Sequence, residues 1–60
     1  MAEHRLNIRI PMREEEEAAF RADHALGEHD STRDRLATTI HDELEGLGAI
    51  NGWWREVHVS

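Results

Sequence analysis

Arg5, Asn7 and Arg9 stand at alternate positions of one short segment, Arg5-Leu6-Asn7-Ile8-Arg9-Ile10-Pro11. These side chains are suited to reading base edges. A guanidinium presents a rigid fork of donors that can take guanine O6 and N7 together, and a carboxamide can both donate to and accept from adenine. On an extended backbone, positions i, i+2 and i+4 project from one face with about 6.6–7 Å between neighbours. Leu6, Ile8 and Ile10 fill the intervening positions and would form the opposite, apolar face. Residues 4–13 also hold Arg13 and no acid, so the segment carries +3 with its histidine neutral.

The rest of the chain has the opposite sign. The net charge of the sixty residues is −6, and residues 14–47 place eleven acids against Arg21, Arg33 and Arg35, for −8. An acidic chain is repelled on average by nucleic acid and by anionic membranes. Any nucleic-acid contact is therefore confined to the basic N-terminal segment. The acidic region offers a second chemistry, in which its carboxylates imitate a nucleic-acid backbone and occupy a basic groove on another protein. Small acidic phage-encoded inhibitors, such as anti-restriction and anti-CRISPR proteins, work in this general way.

Other chemistries find little support. There is no cysteine, which removes disulfides and thiolate metal sites together. His4, His24, His29, His41 and His58 show no ligand spacing and read as solvated surface groups, so no metal is expected. No nucleophile motif or phosphate loop is present, and so small a domain has little room for a pocket of about 300–1,000 Å³. An enzyme and a cofactor are not expected. No run approaches the roughly 18 apolar residues of a membrane span, nor does the N-terminus carry a signal-peptide core. The expectation is a cytoplasmic soluble protein.

The elements that must position these residues follow from periodicity. Alternation over residues 4–10 predicts a strand ended by Pro11. Residues 12–28 turn alanine-rich behind Glu14–Glu17, acids that suit the positive end of a helix dipole, and predict a first helix. Gly27–Thr32 breaks it, and Ser31 followed by Asp34 fits a capping box, with Asp30 as a rival cap. A second helix is predicted over 32–47, stopped by Gly46 and Gly48. Its Leu36, Ile40, Leu44 and Leu47 fall within about 80° of one another, an apolar stripe that needs a partner. Residues 53–59 alternate again after the Asn51-Gly52 turn signal and predict a second strand. Of the adjacent Trp53 and Trp54, one should enter the core and the other, Trp54, should face a partner. The whole is one domain, 1–60, of α+β class. A chain this short buries only about 60% of its unfolded surface, which points to self-association as the staple.

The order strand, helix, helix, with Pro11 after the strand and a Ser/Thr cap opening the second helix, resembles the ribbon-helix-helix family of Arc- and MetJ-type repressors over residues 4–47. The resemblance implies a homodimer whose paired strands enter the major groove of DNA, and hence a sequence-specific transcriptional repressor. It carries base contacts onto Arg5, Asn7 and Arg9, and phosphate contacts onto Ser31 and Thr32 at a helix N-terminus. Arg13 and Arg33 could add phosphate contacts. A C-terminal strand is not part of that family's minimal fold. It leaves open a monomeric β-α-α-β unit, in which the N-terminal strand pairs with residues 53–59 of its own chain. The alternative function is the acidic inhibitor, meeting a basic protein partner through its helices or through Trp54.

Overall fold

Four consecutive glutamates facing the positive end of a helix dipole, and a serine placed three residues before an aspartate, start the two helices of this chain. The computed structural model describes residues 2–59 and contains α1, Glu14–Asp23, and α2, Thr32–Asn51. At the start of α1 the Glu16 carboxylate reaches back to accept from the Arg13 backbone N–H at 2.8 Å. At the start of α2 the Ser31 hydroxyl accepts from the Asp34 N–H at 3.2 Å. Asp30, the rival cap, instead accepts from the Gly27 N–H at 2.7 Å and shapes the turn.

Both helices end in a left-handed residue. After α1 that residue is Ala25, at φ 51°. Its N–H donates to the Ala22 carbonyl at 3.1 Å, and the Leu26 N–H donates to the Arg21 carbonyl at 2.9 Å. These are the two bonds of a Schellman termination, made without the usual glycine. After α2 the residue is Gly52, at φ 71°, and both Gly52 and Trp53 donate to the Gly48 carbonyl at 2.8 and 3.1 Å.

One side chain ties the helices together. From the last turn of α1, the Arg21 guanidinium donates to the Asp30 carbonyl at 2.8 Å, to Thr32 Oγ1 at 2.9 Å and to the Gly27 carbonyl. It thus binds the whole turn to the first residue of α2. Beyond this junction the helices do not pack along their lengths. The radius of gyration is 13.9 Å, against about 10 Å for a compact chain of this length.

The α+β expectation is corrected: no strand forms among the described residues, so neither strand-helix-helix nor β-α-α-β describes the fold. Residues 4–10 and 53–59 lack helical structure, as the alternation required, but make no ladder with each other. Alternation reports which faces of a backbone differ in polarity; a strand exists only where a neighbour takes its amides, and a lone pair of strands is marginal in water. The helix bounds change too. α1 begins two residues later than expected and ends five earlier, whereas α2 continues through Gly46 and Gly48 to Asn51. Neither helix is long and apolar enough to cross a membrane.

Ala25 holds a backbone conformation that costs an L-residue about 1–2 kcal/mol. Ala25→Gly should therefore raise the stability of the α1–turn unit by roughly 1 kcal/mol, read as a higher urea midpoint in circular dichroism. An unchanged or lower midpoint would contradict the left-handed assignment.

Candidate functional site

An open cleft of 1940 Å³ runs between α2, the N-terminal segment and the C-terminal tail. It is open to solvent and larger than the roughly 300–1,000 Å³ of small-molecule sites. Leu36, Ile40 and Leu44 of α2 line it and are half-buried there. Leu47 continues the same stripe and Ile50 lies at its edge, both exposed, Ile50 to 85%.

The C-terminal tail is seated on α2 by one residue. The Trp54 indole lies across Gly48, and its Nε1–H donates to the Leu44 carbonyl at 2.9 Å. Gly48 is the one buried residue of α2, and a Cβ there would collide with the indole nitrogen and stand only 2.7 Å from Cε2. The glycine read as a helix stop is instead a seat for the ring. Trp53 packs against Trp54 with ring centroids 5.8 Å apart, and points outward. Trp53 is 67% exposed and Trp54 37%, so neither tryptophan enters a closed core, and Trp53 is the more exposed of the two. The sequence signal for the Trp54 seat was the glycine six residues before it, one helical turn after Leu44 on the same face.

The residues suited to DNA are only partly gathered. Arg5, Asn7, Thr32 and Arg33 line the cleft, but Arg9 and Arg13 do not, and Ser31 lines a separate shallow depression of 310 Å³. Leu6, Ile8 and Ile10 line the cleft as well, so the alternation does not sort polar from apolar side chains between cleft and solvent. Several of these groups already have partners. Arg5 is 3.7 Å from Glu3 and Arg33 is 3.2 Å from Asp34, both exposed pairs of small energetic weight. The Thr32 hydroxyl accepts from Arg21, and the Ser31 hydroxyl accepts from the Asp34 amide. Asp34 in the first turn further offsets the positive end of α2.

His24 and His41 have local partners. His24 Nδ1 lies 3.0 Å from the Phe20 carbonyl with its ring 4.1 Å from the phenyl centroid, and His41 sits 3.4 Å from both Asp42 and Glu45. Among the described residues no group of three or more His, Asp or Glu is placed to hold a metal. No family model, curated protein or solved structure matches the chain.

Gly48→Ala should force the indole off α2 at a cost of about 1–3 kcal/mol. Tryptophan emission should shift to the red and the C-terminal turn should lose amide protection. Unaltered emission would show that Trp54 does not depend on the Gly48 seat.

Proposed function

We propose that this chain is a non-enzymatic binding module whose α2 stripe receives another polypeptide. The observation that carries the reading is area. A compact protein of 6.9 kDa exposes about 4,000 Å². This chain exposes 5643 Å², an excess of about 1,600 Å². No hydrophobic side chain among the described residues is fully buried, and Leu47, Ile50 and Trp53 are exposed, as are Leu6, Ile8 and Ile10. Of the two surfaces expected to meet a protein, the acidic helix faces and a tryptophan, the apolar one is favoured because its exposure is costly whereas solvated carboxylates are not.

A benzophenone side chain in place of Leu47, Ile50 or Trp53 should yield photo-adducts with polypeptide in cells, and one in place of Glu15 should not. Equal adduct formation at Glu15, or none at the stripe, would end this reading.

A second reading, favoured by the acid-free, exposed segment 4–13, is a DNA-binding repressor. Flexible basic arms can enter a DNA groove without a strand partner. Arg5, Asn7 and Arg9 would meet bases, while Arg13 and Arg33 would meet phosphates. Ser31 and Thr32 would contribute backbone amides and hydroxyl protons, since both hydroxyl oxygens act only as acceptors in their bonds within the chain. Arg5→Ala or Arg9→Ala should then relax base preference by roughly 1–3 kcal/mol in an anisotropy titration, and binding should fall steeply with salt. Absence of any shift at low salt would remove the DNA reading and leave the polypeptide reading intact.

A further inference from the structure

We infer that Asn51-Gly52 is a self-modification site: Asn51 loses ammonia through a cyclic imide, at a rate set by the cap on α2, and the product unseats Trp54.

The two residues supply the chemistry. The Gly52 backbone nitrogen gives its proton to a base in the solvent and attacks the Asn51 side-chain carbonyl carbon. A new C–N bond closes a succinimide ring, the carboxamide C–N bond breaks, and its nitrogen takes a proton from water and leaves as ammonia. Water then opens the ring at either carbonyl. Opening at one gives aspartate; opening at the other gives isoaspartate, whose main chain runs through the former side-chain carbon. The net reaction consumes one water and releases one ammonia. A following residue without a Cβ leaves the attacking nitrogen unshielded, which only glycine provides. The chain holds two asparagines, Asn7 and Asn51, and only Asn51 precedes a glycine. Asn51 and Gly52 are both exposed, so water and base reach them.

The fold restrains the same atoms. The Gly52 N–H donates to the Gly48 carbonyl at 2.8 Å, which keeps its proton engaged. The Asn51 carboxamide is turned back along α2, where Nδ2 donates to the Leu47 carbonyl at 2.9 Å. Ring closure needs both bonds open, because one holds the nucleophile and the other the electrophile. The Trp53 N–H shares the Gly48 carbonyl at 3.1 Å, and the Trp54 indole rests on Gly48 while bonded to the Leu44 carbonyl. Cap and tail thus rest on one turn of helix and open together. The reaction rate follows the fraction of time that this end of α2 is open.

The product acts on the seat in turn. Either acid loses the donor to the Leu47 carbonyl and places a carboxylate at the negative end of the α2 dipole. Isoaspartate also adds a methylene to the main chain before Gly52, so the Gly52 and Trp53 amides no longer reach the Gly48 carbonyl together. The tail that follows them is then released from Gly48.

The full chain, held at mildly alkaline pH with and without urea and followed by mass spectrometry and peptide mapping, tests this. Residue 51 should gain the mass difference between a carboxamide and a carboxylic acid in both, about tenfold more slowly without urea. Asn7 should stay unchanged. Trp54→Phe, which keeps a ring but loses the indole donor, should bring the native rate toward the urea rate. Wild-type tryptophan emission should shift to the red in step with isoaspartate, whereas the emission of Asn51→Gln should hold constant. Equal rates with and without urea would overturn the gate. Emission that stays fixed as isoaspartate accumulates would overturn the unseating, and no mass gain at residue 51 in urea would overturn the site itself.

Discussion

The constraint that governs this molecule is that no apolar side chain among its described residues is completely buried. Ordering a residue's backbone costs about 1–2 kcal/mol. The usual offset, about 1.5–3 kcal/mol for each fully buried Leu or Ile, is realised only in part at Leu36, Ile40 and Leu44. Leu47 and Ile50, on the same stripe, gain little from it. The chain is therefore a pair of locally well-terminated helices that leaves an apolar surface uncovered.

What holds the isolated chain in this shape is polar and local. Arg21 donates across the turn to two carbonyls and a hydroxyl, which fixes where α2 starts relative to where α1 ends. Ser31 and Gly52 satisfy the two ends of α2, and Trp54 folds the tail back onto Gly48. Both non-helical segments line the open cleft beside α2.

The parts of this arrangement legible in the sequence are those with a local cause. The Ser31 cap, the start of α2 at Thr32 and the Leu36–Ile40–Leu44–Leu47 stripe depend only on residues a turn apart. The strands were expected from a pattern that describes one chain's faces, while a ladder depends on a second backbone, and residues 53–59 did not supply it. Ala25 carries no sign of a left-handed conformation, because alanine is the strongest helix former. Gly48 carried two possible meanings, helix stop and close approach, and only the position of Trp54 separates them. The basic residues of the N-terminal segment were visible from composition; their division between cleft and solvent was not, since it follows from how the segment meets α2.

Scanning calorimetry on the dilute chain, at a concentration where sedimentation gives a monomer, tests the central point most directly. A sixty-residue domain with its own core would absorb about 40 kcal/mol in one cooperative transition. The expected result is a broad, weak transition without a cooperative peak, because a monomer has only helix ends and the Arg21 junction to melt. A sharp peak of about 40 kcal/mol from the monomer would show that the chain completes its own core, and would contradict the account.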